Sequence, residues 1–454
     1  MKKLVLCLSA LAVLACKEEP KVDYAVLSGK LEKTKAKKAV LEGFNYNQDI
    51  TIDAEGNFAD TLKIAENGFY TLTIGRERAN MYVKTGDNFT IGKDSLGGFT
   101  FTGSGATESN YLASKRSNTR KLRGASQAFY SLDEAAYKAK VNEIKESNKT
   151  ALEKIEGIDK AFLAAELKNL EYDSYALLND YGNAHAYFTK KDSFKPSDDF
   201  LPKALKELTY DDANAFKTSK SYQQLAFGNV MNPIFEGLDD FNSIKPSDLS
   251  AITAVKIPEL KNQIVEYLGK MALSPANSNL SDMYAFLRDN TTDEKIKEDL
   301  KINFDKVKDL TKGNPSPTFV NYENHKGGTT SLADLKGKYV YVDVWATWCG
   351  PCKAEIPSLK KVEKEYHGKN IAFVSTSVDV ANAHQKWVDM VNKEELGGIQ
   401  LIADKDWKSQ FVVDYGINGI PRFILIDPVG NIVSADAPRP SDPKLKELFD
   451  SLDI

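Results

Sequence analysis

Residues 338–353 read Lys338-Tyr339-Val340-Tyr341-Val342-Asp343-Val344-Trp345-Ala346-Thr347-Trp348-Cys349-Gly350-Pro351-Cys352-Lys353. The first half, Lys338 to Trp345, is a strand apolar on both faces, as expected in the middle of a sheet covered by helices. The second half places two thiols one helical turn apart behind that strand. Two cysteines at this spacing can open and close a disulfide. A cysteine at a helix start has its thiolate stabilised by unpaired backbone amides and the helix dipole, so its pKa falls and it becomes the attacking group. Cys349 occupies that place. Pro351 fits the first turn, where its missing amide hydrogen costs nothing. Cys352 lies one turn further in. It is expected to be more buried, with the higher pKa, and to attack second, resolving a mixed disulfide.

The other chemistry open to Cys-x-x-Cys is a metal site, but zinc needs two further ligands. There is no second cysteine pair, and His325, His367 and His384 show no ligand pattern. The redox reading is preferred, with neither metal nor cofactor expected.

The chain has only two other cysteines, Cys7 and Cys16. Both sit in a segment with a positive start, Met1-Lys2-Lys3, and an apolar run from Leu4 to Leu14 that is too short to span a membrane. Val13-Leu14-Ala15-Cys16 resembles the lipobox of bacterial lipoproteins. The resemblance implies removal of a signal peptide, residues 1–15, and an acylated Cys16 that anchors the mature chain to a membrane. A plain secretory signal is the alternative. In either case Cys7 is discarded and one redox pair remains. Residues 16–22, including Lys17-Glu18-Glu19, form a charged tether that is either a bland linker or, by resemblance to some Gram-negative lipoproteins, a signal for the outer face of the outer membrane.

At 454 residues the chain is too long for one ordinary domain, and its net charge of −4 is modest. It has no basic patch with interleaved aromatics, so nucleic-acid binding is not expected. Residues 23–104 alternate in short runs. Phe69–Ile74, Met81–Val83 and Phe99–Thr102 read as strands separated by turns such as Glu55-Gly56-Asn57 and Thr85-Gly86-Asp87-Asn88, which suggests an all-β sandwich or barrel. Residues 105–312 change to a helical period. Leu163, Leu167, Leu170 and Leu177 fall near one helix face, and Ser131-Leu132-Asp133-Glu134 and Ser281-Asp282 look like helix starts. Pro196, Pro202, Pro233, Pro246, Pro258 and Pro275 are expected to limit helix length. Tyr172, Tyr175, Tyr181 and Tyr187 read as core or boundary residues and His185 as structural, leaving this region as a spacer or partner-binding layer.

Residues 313–454 alternate strand and helix. A helix from Cys349 to Tyr366, a strand at Ile371–Ser375, and a hairpin of Arg422–Asp427 with Asn431–Val433 give an α/β pattern on a mixed sheet. Here the chain resembles a known family. Val342 to Lys353 looks like thioredoxin itself, and Gly419-Ile420-Pro421 resembles the loop whose cis proline faces the active disulfide. Asn314–Phe319, Ser331–Lys338 and the extra segment from Asp379 to Tyr415 resemble the TlpA/ResA-like membrane-tethered thioredoxins. The strand-rich segment before them resembles the β-domain of unknown function found in many anchored bacterial proteins of this kind.

The resemblance implies roles. Asp343 matches the buried acid that takes the proton of Cys352. Pro421 matches the cis proline, and the backbone of Ile420 would pair with an extended substrate next to Cys349. Trp348, Gly350 and Pro351 would complete the docking surface, although an ordinary half-buried Trp348 is the competing reading. Glu355 sits either near the pair or on an exposed helix face. Arg422 stands where thioredoxin has threonine and would add a cation beside the groove. The activity implied is thiol:disulfide exchange with exported proteins in a cell envelope, with electrons from a membrane thiol donor. A thiol peroxidase is disfavoured, because Val342 and Ala346 occupy the Pro and Thr positions of its motif. A binding or scaffold lipoprotein with an auxiliary thioredoxin domain is the alternative of a different class.

Overall fold

The computed structural model describes residues 22–31, 34–94, 97–238 and 241–454. The signal segment 1–15, the lipidation candidate Cys16 and the tether up to residue 21 lie outside these. The chain divides at Ala226/Phe227 into two compact units.

In the first unit eight strands come in succession: β1 Ala25–Lys30, β2 Lys38–Gly43, β3 Tyr46–Thr51, β4 Asn57–Leu62, β5 Gly68–Ile74, β6 Glu77–Val83, β7 Asn88–Lys93 and β8 Phe99–Gly103. They form two four-stranded sheets, ordered β4-β1-β7-β8 and β3-β2-β5-β6. The β1/β7 ladder is parallel. Period-two alternation turns Tyr70, Leu72 and Ile74 of β5 inward, where they share one apolar core with Leu27 of β1 and Phe89 of β7. Both sheets therefore bury their inner faces in one core, as a sandwich does.

Two long helices that follow are capped by acids. Asp133 accepts the amide of Ala136 ahead of Glu134–Glu153, and Asp159 accepts those of Ala161 and Phe162 ahead of Lys160–Thr189. The latter helix is 30 residues long, about 45 Å. It is long enough to serve two aromatic clusters: Leu163, Leu167 and Leu170 pack with Tyr82 and Tyr111, whereas Leu177 packs with Tyr137 and Phe200. The tyrosines divide in the same way. Tyr181 is buried with its hydroxyl on the Leu132 carbonyl at 2.7 Å, while Tyr187 is exposed. His185 is buried with Nδ1 2.9 Å from the Tyr130 carbonyl oxygen, a structural position.

The prolines do not all act as expected. Pro202 caps a short helix, and Pro246 and Pro258 open their helical segments. Pro233, however, lies inside the helix Lys220–Glu236. It stands three residues before the last helical residue, so its missing amide hydrogen costs one intrahelical bond, to the carbonyl of Asn229, in the last turns of the helix.

The second unit begins with helices such as Pro258–Met271, Leu280–Asp289 and Glu294–Val307, the second starting one residue before the expected Ser281-Asp282. Seven strands follow: β9 Tyr322–Asn324, β10 Thr329–Thr330, β11 Tyr339–Trp345, β12 Ile371–Ser377, β13 Ile399–Ile402, β14 Arg422–Ile426 and β15 Ile432–Ser434. They form one mixed sheet, ordered β10-β9-β13-β12-β11-β14-β15. β11 is an interior strand, parallel to β12 and antiparallel to β14. Its Val340, Val342 and Val344 pack with Phe319, Trp387 and Phe411, while Tyr341 on the other face packs with Phe423 and Phe449. The segment between Asp379 and Tyr415 adds β13 to the sheet and the helix His384–Lys393 over it. Residues 314–316 are tied to the β14–β15 hairpin by the Ser316 amide on the Gly430 carbonyl and by the Ile432 amide on the Asn314 carbonyl. No helix among the described residues is long and apolar enough to cross a membrane.

Candidate active site

The helix Gly350–Glu365 starts immediately behind β11, and Cys349 is its N-cap residue. The Cys349 sulfur accepts the backbone N–H of Cys352 at 3.1 Å. The two cysteines are joined as a disulfide with their Cα atoms 5.3 Å apart, within the range the bridge requires. Pro351 sits in the first turn, and Gly350 is exposed. The expectation that Cys352 is the more buried of the pair is corrected: Cys349 is 4% and Cys352 5% exposed. Bridging makes each sulfur cover the other, and both residues join the apolar cluster that contains Trp345 and Ala346.

Asp343 lies on β11, two residues after Tyr341 and therefore on the same face of the strand. Its register partners are Ser375 on β12 and Phe423 on β14. Burial pushes its carboxyl up to about 7 from 3.8. The distant Ser375 hydroxyl, at 3.5 Å, pulls the other way, and the negative charges of Glu355 and Glu363 add to the rise. Asp343 and Cys352 line the same small cavity, of about 10 Å³, with Trp345, Ser375 and Gln400. That is close to the volume of a single water. Trp345 Nε1 and Gln400 Oε1 are buried without a protein partner, and polar atoms of this kind are what an internal water bonds.

The loop entering the motif is clamped by a residue outside it. Asp379, 2% exposed, accepts the Thr347 amide and hydroxyl, both at 2.8 Å, and the Ser377 hydroxyl at 2.7 Å. The Cys349 amide in turn bonds the Ala346 carbonyl. An acid just past the end of an apolar strand is a signal that the sequence contains, but its partner 32 positions away is visible only in the fold. Replacing Asp379 by alanine orphans Thr347 N–H and two hydroxyls. The expected cost is about 2–4 kcal/mol, read as a lowered urea midpoint together with slower disulfide exchange. An unchanged midpoint refutes the clamp.

Glu355 is not on an exposed face. It is 8% exposed, and the Ser441 amide and hydroxyl bond its two carboxylate oxygens at 3.0 and 2.9 Å. Trp348 is 61% exposed, more than an ordinary half-buried tryptophan. The Ile420–Pro421 peptide bond is cis, and Ile420 lies in a bend before β14 while packing against the cluster that holds the cysteines. Arg422 is not a free cation beside the groove: it pairs with Asp436 at 2.9 Å. The fold thus brings Cys349, Cys352, Gly350, Pro351 and Asp343 together, with Ile420 against the same cluster.

Comparisons with known proteins cover this part of the chain. A family model described as Redoxin matches residues 311–451. The thiol-disulfide oxidoreductase ResA of Bacillus subtilis (strain 168) is 29% identical over 124 residues, 27% of this chain and 66% of that protein, so the chain spans just under two thirds of its length. The thioredoxin-like protein YneN of the same organism is 31% identical over 123 residues, 27% of this chain and 69% of that protein. Among solved structures, the thioredoxin domain of a thiol-disulfide oxidoreductase from Bacteroides vulgatus is 28% identical, covering 32% of this chain and 99% of that one, with a TM-score of 0.29. A helix-capping cysteine pair lies behind an interior strand, on a chain that shares almost a third of its aligned residues with a thioredoxin-like protein: through its C-terminal part the chain belongs to the thioredoxin-like proteins.

Proposed function

We propose that this chain is a lipid-anchored reductase of disulfides in exported proteins, in which Cys349 attacks and Cys352 resolves. The observation that carries the reading is a disulfide at a helix N-terminus whose inner cysteine shares a one-water cavity with Asp343. In the reduced protein the Cys349 thiolate, held by the Cys352 amide and the helix N-terminus, attacks one sulfur of a substrate disulfide. The substrate S–S bond breaks and its other sulfur leaves as a thiolate. Cys352 then passes its proton to Asp343 across the shared cavity and attacks the Cys349 sulfur. The second substrate sulfur is released, and the Cys349–Cys352 bond is formed. Two electrons have moved to the substrate, which takes up two protons, and a membrane thiol donor returns the electrons.

Gly350-Pro351 is thioredoxin's own dipeptide, and thioredoxin is reducing at about −270 mV, which supports the reductase direction. Exposed Trp348 and the Ile420–Pro421 edge would dock the substrate. Cys16, acylated, would hold the chain at the cell envelope, on the periplasmic side or at the outer-membrane surface.

The test is trapping. In cells, Cys352→Ser leaves Cys349 unable to be released, so substrate adducts that dithiothreitol cleaves accumulate on Cys349 and can be identified by mass spectrometry. The variant lacking both thiols is the control. If Cys352→Ser yields no more adducts than that control, the substrate assignment fails.

A further inference from the structure

We propose that the N-terminal unit binds an anionic small molecule in a cavity between its β-sandwich and its helices, a function separate from disulfide exchange. The cavity holds about 810 Å³, within the range of drug-sized ligand sites. Its walls carry seven cationic side chains and four carboxylates, an excess of positive charge in a chain whose net charge is −4.

Several of those cations are already paired. Lys115 is held by Glu166 and Asp173 at 2.6 and 2.8 Å, Lys145 by Glu171 at 3.1 Å and Lys217 by Glu66 at 3.0 Å. Arg120 and Arg123 have no carboxylate within ion-pair distance among the described residues. They lie three positions apart on the helix Ala106–Arg123, so they project to one side. Arg123 Nε is buried without a partner.

Basic residues in a last helical turn also complement the helix dipole. That does not account for Asn169. It is 6% exposed and lines the cavity. Its amide donates to Glu166 and to the Thr218 carbonyl, both at 3.2 Å, but its Oδ1 accepts nothing. A buried acceptor left unsatisfied costs about 1–3 kcal/mol. A ligand that offers a donor there and an anion to the arginines removes both deficits. Phe44 and Phe69 supply an apolar wall. The geometry therefore selects a carboxylate- or phosphate-bearing molecule with a hydroxyl or amide donor.

The test uses the full chain and pyranine, a hydroxyl-bearing trisulfonated pyrene, followed by fluorescence anisotropy. One pyranine should bind per chain. Citrate and pyrophosphate, titrated separately, should displace it, and the more effective of the two identifies the carboxylate or the phosphate source. Arg120→Gln with Arg123→Gln should weaken binding about tenfold or more, while Arg120→Lys with Arg123→Lys retains most of it. Asn169→Leu should weaken it without changing dithiol-dependent disulfide reduction. Absent binding, binding insensitive to the arginine pair, or binding that neither anion displaces overturns the proposal. If the glutamine pair does not fold, the lysine pair and Asn169→Leu decide it: equal affinity in both to the wild type also overturns it.

Discussion

Cys349→Ser abolishes disulfide exchange, with the dithiothreitol-dependent reduction of insulin falling by at least about 10³-fold. The thiolate is the nucleophile and a serine hydroxyl is not ionised at neutral pH, so the attack on the substrate sulfur has no starting species. The only further cysteines are Cys7 and Cys16, and on the proposed lipoprotein reading the first is removed and the second acylated, so neither offers a competing thiol. Cys352 cannot substitute either. It lies one turn into the helix, and its own amide is turned to the Cys349 sulfur. The reduced wild type is the reference for stability, since the variant loses the bridge as well as the thiol. An unfolding midpoint equal to that reference, together with lost turnover, assigns the defect to chemistry. Insulin reduction within tenfold of the wild type would sink the assignment of Cys349.

Asp343→Asn should act in opposite directions on stability and rate. Burial raises the Asp343 carboxyl from 3.8 to about 7. The unfolded chain releases this proton near pH 4, whereas the folded protein keeps it until about pH 7. Folding stability is therefore highest at low pH, falls as pH rises between these values and is level above pH 7. Three pKa units set a ceiling of about 4 kcal/mol. Asp343 is only partly buried by exposed area, so solvent screening brings the expected size to about 2 kcal/mol. Asparagine does not titrate. At pH 8 the variant should be more stable by that amount, and at pH 4 equal, in urea unfolding. Its resolving step should be slower by about 10²-fold above pH 7, where the wild-type carboxylate accepts a proton. The gap should close below pH 7, where that carboxylate is protonated in the wild type as well. A rate gap that does not depend on pH would show that Asp343 holds geometry and moves no proton.

The strand β11 and the helix behind it were legible because their determinants are local. An unbroken apolar run needs both faces covered, and the proline in Cys-Gly-Pro-Cys fits a first helical turn. The strands run as expected at Tyr339–Trp345 and Arg422–Ile426, and the helix Gly350–Glu365 lies within one residue of the expected span. Period-two alternation made β5 and β6 readable in the same way. Asp343 and the cis Pro421 came from resemblance to a family rather than from local preference, since an Ile-Pro bond is ordinarily trans.

What local reasoning missed depends on partners distant in the chain. Glu355 was ambiguous because its burial comes from Ser441, 86 residues on. The Arg422 charge is compensated by Asp436, and nothing in the Gly419-Ile420-Pro421-Arg422 stretch announces it. Helical position alone does not set the relative burial of the two cysteines, because it leaves out the cover that each sulfur gives the other.

By itself the sequence determined a thiol pair on a strand-then-helix unit, since spacing, periodicity and helix-end chemistry act over a few residues. Only the tertiary structure decided which groups surround that pair, with Asp379 on Thr347 and Asp343 in the Cys352 cavity. It alone assembled the cationic cavity of the first unit, whose walls come from Phe44, Arg120, Lys145, Asn169 and Lys217. Charge, burial and unpaired hydrogen-bonding atoms become properties of a site only when packing removes water from residues that the chain keeps far apart.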